Sequence, residues 1–215
     1  MNRKIFRGLV LLVSVCVLSA VASAQQQPAS RARRGGLDNL SLPSTTARVA
    51  SASTAGGVWQ TFVPEGAGFS ISLPGRPEEP TQAGRASGQL AAQFRTYRLA
   101  AGGLKFEVSR TGQLPEQLFS QPGVVDKFFA GTSQGITATL NRTNQQNRFK
   151  LVSEQPISLD GYEGREYAFE AEGHRSVARV FLFERAIFVL SVIGPNSELT
   201  PETIRRFLDS FALTQ

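Results

Sequence analysis

The sequence predicts an α+β fold: an antiparallel β-sheet with packed helices, preceded by a signal peptide and a disordered linker. Three observations predict it. Phe69, Ile71 and Leu73 alternate with serines, which is the pattern of a half-buried strand. The apolar spacing changes to three and four residues over 122–142, which indicates a helix. Alternating segments return after residue 149, and a second helical pattern follows them.

Residues 1–24 have the three parts of a secretory signal peptide. Basic residues come first, an apolar run extends from Leu9 to Leu18, and Ala22-Ser23-Ala24 precedes Gln25 as a small-residue cleavage site. The run is too short for a membrane-spanning helix. We therefore expect cleavage and export to the periplasm or the cell exterior, with no transmembrane segment left afterwards. The alternative is an uncleaved N-terminal anchor.

Residues 25–57 have the composition of a flexible, low-complexity linker. They hold few apolar side chains and no sustained period, so they bury too little surface to offset the entropy of ordering. The basic cluster Arg31-Ala32-Arg33-Arg34 has two interpretations, contact with an anionic lipid or polyanion and a solvated charge run; we favour the second. A single domain is predicted over 58–215.

The charge of the chain lies mostly outside the predicted domain. The sequence has 23 basic and 17 acidic residues, a formal net charge of +6. Removing the three basic residues of 1–24, and the four basic and one acidic residue of 25–57, leaves 16 of each sign in 58–215. A neutral domain does not predict a nucleic-acid partner.

The reactive side chains are few. One Cys and one His exclude a disulfide framework and a Cys/His metal cluster, and no cofactor is expected. His174 lies in a predicted turn after Gly173, and neither a G-x-S-x-G elbow nor a phosphate-binding loop is present. An exposed loop histidine is favoured over a hydrolase centred on His174.

The first half of the domain predicts a meander followed by the long helix. A strand over 69–73 ends at Pro74-Gly75, an extended segment runs over 90–100, and 104–108 alternates strictly after a glycine turn. In the helix, Gly131 and Gly135 weaken the interior and predict a break into two pieces.

The same helix supplies the candidate ligand site. An apolar groove between it and the sheet would accept a lipid, a hydrophobic peptide or a helix of a partner. The alternative, which we favour, is a core rich in phenylalanine, since the chain has 15 Phe against three Tyr and one Trp. The groove candidates are Val125, Phe128, Phe129 and Ile136.

The second half predicts hairpins. Pro156 places the strand over 149–159 at an edge of the sheet, and Asp160-Gly161 forms a tight turn. The run 187–190 is apolar on both faces, which is typical of a covered central strand.

Four acidic residues in this region admit two interpretations, a cation site and cross-strand pairing with Arg175 or Arg179. Most of them lie in one strand rather than in a loop that converges on a point, so pairing is favoured. They are Glu163, Glu166, Glu170 and Glu172.

The terminal helix has clear start signals. Thr200 is a good N-cap, Pro201 suits the first helical position, and Glu202 suits the positive end of the helix dipole. One apolar stripe should pack on the sheet. Its members are Ile204, Phe207, Leu208 and Phe211.

Three segments carry a resemblance. Phe69-Ser70-Ile71-Ser72-Leu73-Pro74-Gly75-Arg76-Pro77 resembles the opening of a group of uncharacterised exported bacterial domains, and 157–167 and 207–213 continue that likeness. The layout over 58–215 is similar to the PsbP-like fold. PsbP supports the photosynthetic oxygen-evolving complex, but no residue set here matches one that retains a metal. The resemblance therefore implies a fold and no chemistry.

These observations favour a non-catalytic binding or accessory module of the cell envelope that contacts a protein partner. The alternative is a carrier of a small apolar ligand or lipid in the groove beside helix 122–142. A hydrolase is the third hypothesis. The sequence identifies neither the envelope protein nor the ligand.

Overall fold

Antiparallel strands form the framework of the structure. A computed structural model describes residues 57–78, 95–118 and 122–214. The strands are β1 Gln60–Phe62, β2 Phe69–Leu73, β3 Arg95–Ala101, β4 Leu104–Arg110, β5 Lys150–Leu159, β6 Tyr162–Ala171, β7 His174–Phe183, β8 Ala186–Pro195 and β9 Ala212–Leu213. The helices are α1 Val124–Thr143 and α2 Pro201–Leu208, with a short 3-10 turn at Glu116–Leu118.

Two sheets result. The larger has six strands in the order β3-β4-β8-β7-β6-β5, and the smaller pairs β1, β2 and β9 in that order. All pairings are antiparallel. The predicted turn at Asp160-Gly161 is confirmed: both residues have positive φ, 51° and 86°, and they join β5 to β6.

β8 lies at the centre of the six-stranded sheet, as its apolar run predicted. It pairs with β4 on one side and β7 on the other. Ile187 and Val189 point to one face and Phe188 and Leu190 to the opposite face, and all four are almost fully buried. The sheet therefore carries two cores, one on each face.

We call these the α1 face and the α2 face. The α1 face packs against α1, and its buried apolar members are Leu114, Phe128, Phe129, Ile136, Leu140, Phe149, Tyr167, Phe169, Ala178, Val180, Ile187 and Val189. The α2 face is covered by α2 and the three-stranded sheet, and its core includes Phe69, Ile71, Tyr97, Phe106, Phe181, Phe188, Leu190 and Phe207.

α1 is continuous, so the predicted break at Gly131 and Gly135 is wrong. Gly135 is buried on the side of α1 that faces the sheet, and the Thr139 hydroxyl donates to its carbonyl at 2.9 Å. Packing on the sheet therefore outweighs the roughly 1 kcal/mol helix penalty of a single glycine.

α2 begins as predicted. The Thr200 hydroxyl accepts from the backbone N–H of Thr203 at 3.2 Å, and Pro201 is the first helical residue. The helix ends at Leu208, one turn earlier than the four-residue stripe implied. Phe211 is buried beyond that end, and β9 then pairs with β2.

The described residues belong to the segment predicted to fold as a domain, together with Gly57. The predicted signal peptide over 1–24 lies outside them, and so does the predicted linker apart from its last residue.

Candidate binding site

The four groove candidates lie on the sheet side of α1. Phe128, Phe129 and Ile136 are at most 3% exposed, and Val125 is half-buried against the same cluster. The Tyr167 hydroxyl donates to the Phe129 carbonyl at 3.0 Å, which ties the middle of α1 to β6. These side chains contact the protein's own core, so a ligand would enter only if α1 moved away from the sheet. The carrier hypothesis stays a prediction.

His174 is the first residue of β7 and is half-buried, so its placement in an exposed turn is corrected. Its ring Nδ1 lies 3.2 Å from the Asn147 side-chain nitrogen and 3.3 Å from the Glu172 carbonyl oxygen. These two contacts of the imidazole connect the start of β7 to the turn before it and to the loop that holds Asn147, and neither contact is to a serine. This geometry fits a histidine that stabilises the local structure.

One acidic residue of β6 forms an ion pair with the neighbouring strand. Glu166 lies opposite Arg179 and accepts from its Nε at 2.6 Å, so the pairing interpretation is confirmed at this position. The same guanidinium contacts the Asp209 carboxylate through Nη1 at 2.7 Å. The Asp209 side chain remains 53% exposed, and its contact with Arg179 depends on the tertiary approach of the end of α2 to β7.

A cleft opens beside this ion pair network on the α2 face. It has a volume of about 190 Å³. Its lining residues come from β5, β7 and the end of α2: Ile157, Ser158, Leu159, Arg179, Phe181, Leu208, Asp209 and Phe211. Between the β5 and β7 walls lies Gly164, where an added Cβ would be 2.5 Å from the Phe181 ring. The missing side chain thus lets Phe181 lie close over β6.

The cleft adjoins a free sheet edge. β5 is ten residues long, and no strand of the described chain lies along its outer side. Leu151 and Val152 on this strand are 39% and 52% exposed. At the other edge, β3 is joined by Glu78, whose N–H donates to the Arg98 carbonyl at 2.7 Å. β5 is therefore the more open edge in the described part of the chain.

A buried polar cluster lies on β3 and β4. Glu107 is 6% exposed, accepts from Arg98 Nε at 3.0 Å and from the Ser109 hydroxyl at 3.3 Å. Thr96 and Ser109 share a hydrogen bond of 2.9 Å. Burial raises the pKa of the Glu107 carboxyl, and this effect exceeds the lowering by Arg98. The alternation of the sequence did not predict this buried cluster, since Glu107 occupies an ordinary polar position of a strand.

Comparison with known proteins supports the fold. No protein-family model matches the sequence, and no curated protein matches it. The solution structure of the cyanobacterial PsbP protein CyanoP from Synechocystis sp. PCC 6803 matches with a TM-score of 0.51. The fold is PsbP-like.

That alignment covers 77% of this chain and 95% of CyanoP at 13% identity, so the resemblance stated from the sequence is confirmed at the level of fold. A protein of unknown function from Pseudomonas aeruginosa matches at 15% identity over 66% of this chain and 85% of its own, with a TM-score of 0.32. Among the residues that the structure describes, neither helix combines the length and apolarity needed to cross a membrane.

Proposed function

We propose that this chain is a non-catalytic, exported accessory protein that binds an extended segment of a partner protein along the outer edge of β5. The observation that carries the proposal is the open edge itself: ten residues of strand with Leu151 and Val152 exposed. Unpaired strand edges present rows of backbone donors and acceptors, and added strands bind to them.

Two features of β5 limit this edge. Pro156 lacks a backbone donor, and the register shift between Leu151 and Ser153 forms a bulge. Both shorten the stretch on which another strand can pair, which protects against open-ended aggregation. A short partner segment that uses side-chain contacts as well as backbone hydrogen bonds fits such an edge.

The likeness to CyanoP supports an accessory role only in coarse terms, because one fold serves many functions. Export follows from the signal-peptide pattern of 1–24 and belongs to the same proposal.

The test uses site-specific photo-crosslinking in the exporting cell. A photoreactive residue replaces Val152, and a matched control carries it at Val63, which is 60% exposed outside β5. We expect position 152 to crosslink to one segment of one partner, and position 63 to leave that segment unmodified. A synthetic peptide of the crosslinked segment should bind Val152→Asp at least about tenfold more weakly than Val63→Asp, because the charge opposes burial of the edge. Equal affinities would contradict the proposal.

A further inference from the structure

The cleft beside β5 combines apolar walls with a charged rim. Ile157, Leu159 and Phe211 provide apolar surface, and Arg179 and Asp209 lie at the polar side. A volume of about 190 Å³ is well above the ~10–15 Å³ that one water requires. The cleft therefore has room for a side chain with both an apolar part and a polar end.

The polar side carries net negative charge. Arg179 is held between Glu166 at 2.6 Å and Asp209 at 2.7 Å, so two carboxylates share one guanidinium. Asp209 has 53% of its side-chain surface exposed and is reachable from the cleft. It also follows the last residue of α2, where the helix dipole favours a cation.

Exposed arginines on α2 do not cancel this charge at the cleft. Arg206 lies over the Trp59 ring at 4.8 Å, and neither Arg205 nor Arg206 lines the cleft. The excess carboxylate at the rim is thus available to an incoming cation.

We infer that the cleft receives a lysine side chain of the partner segment, an inference that rests on the proposed function. The four-carbon stem of lysine contacts the apolar walls while its ammonium meets Asp209. Ile157 and Leu159 belong to β5 itself, and a strand added to that edge lies about 4.8 Å away. Side chains stand roughly perpendicular to a sheet, so a lysine on the α2 face of that strand would reach the cleft by laying its four-carbon stem over Ile157 and Leu159.

Small probes test binding in the cleft separately from strand pairing at the edge of β5. n-Butylammonium, which matches the lysine stem and charge, and n-butanol, its uncharged counterpart, are titrated into the exported protein. Methyl NMR follows Ile157, Leu159 and Leu208. We expect these methyl resonances to shift with both probes and n-butylammonium to bind about threefold more tightly, in the range of an exposed ion pair. Added salt should reduce that preference.

Asp209→Asn should abolish the preference, while Glu202→Gln should preserve it. Glu202 is an exposed acid in the first turn of the same helix, so it controls for general charge. Glu166→Gln removes the other carboxylate that contacts Arg179 and leaves the end of α2 unaltered, so it should weaken the preference for n-butylammonium. Equal binding of the two probes, absence of methyl shifts, or a preference for n-butylammonium that survives Asp209→Asn would overturn the inference.

These outcomes are distinguishable from failure of the proposed function. Neither probe pairs with a strand edge, so position 152 can crosslink to a partner while the cleft shows no preference for the ammonium. In that case only the lysine assignment fails.

Discussion

Glu107 is a carboxyl group whose ionisation is opposed by its position in the fold. Burial raises its pKa above the ordinary 4.5, even though Arg98 and Ser109 bond to it. In the described part of the chain, Arg98 Nη2 is also buried with no hydrogen-bond partner. The cluster is thus a region where polar groups are only partly satisfied, which is costly inside a protein.

The pH dependence of stability follows from the direction of this shift. The folded state binds the Glu107 proton more tightly than the unfolded chain does. Its contribution to stability is fully present below the unfolded pKa and is lost as pH rises through the folded pKa. Glu107→Gln does not titrate, so its unfolding free energy minus that of the wild type should rise between about pH 4 and about pH 8. Denaturant unfolding measures this, with Glu202→Gln as the exposed control; a falling difference would show that Arg98 dominates.

His174 contacts the Asn147 side chain and the Glu172 carbonyl oxygen, so its replacement should be mild. We expect His174→Ala to change the unfolding free energy by no more than about 1.5 kcal/mol, the upper end of what one hydrogen bond contributes. Because Asn147 is the side chain that contacts its ring, Asn147→Ala is the matched variant. A loss of binding or of any activity by a hundredfold, with the melting temperature intact, would instead assign His174 a chemical role.

α2 completes the core of its face of the sheet. Phe207 is fully buried, and its ring centroid lies 5.1 Å from that of Phe106 in an edge-to-face contact. Phe207→Ala should therefore cost about 3–5 kcal/mol through the lost contacts and the cavity left behind. At roughly 2–4 °C per kcal/mol, calorimetry should show a shift of several degrees at least.

The control for that measurement is Arg205→Ala, an exposed position on the same helix. A shift below about 2 °C for Phe207→Ala in a purified monomer would mean that α2 does not complete the core.

Sequence patterns predicted those elements whose burial repeats along the chain. Phe69, Ile71 and Leu73 alternate, and Thr200 with Pro201 mark a helix start, so β2 and the beginning of α2 were predicted correctly. β9 was not predicted, because its two residues contain no period and its pairing with Phe69 and Ser70 is set by the tertiary fold.

The candidate site was predictable only in part for the same reason. Pro156 indicated that β5 is an edge strand, and the sheet order confirms this. The contact of Arg179 with Asp209 joins residues far apart in sequence, and no local pattern encodes it. The groove residues beside α1 were chosen for their spacing, and spacing alone does not distinguish a groove wall from a packed core.

At the scale of the whole molecule, one sheet supports two cores. Phe188 and Leu190 belong to the α2 face, while Ile187 and Val189 on the same strand belong to the α1 face. Loss of packing on either face therefore loosens β8, which both cores share. Two strands separate β8 from the open edge at β5, so binding of the proposed partner there would leave the shared core closed.

Maturation is the remaining property of the whole chain that the sequence predicts. The small residues Ala22 and Ala24 fit the cleavage site of a secretory signal, and Gln25 should be the first residue of the exported protein. Intact mass measurement of protein recovered from outside the inner membrane checks this directly. Ala24→Asp should block cleavage because the site requires a small side chain, whereas Ala20→Ser, outside the Ala22–Ala24 motif, should leave it unchanged. Exported wild-type protein that still begins at Met1 would identify residues 1–24 as a retained anchor, and β5 would then meet its partner at the membrane surface.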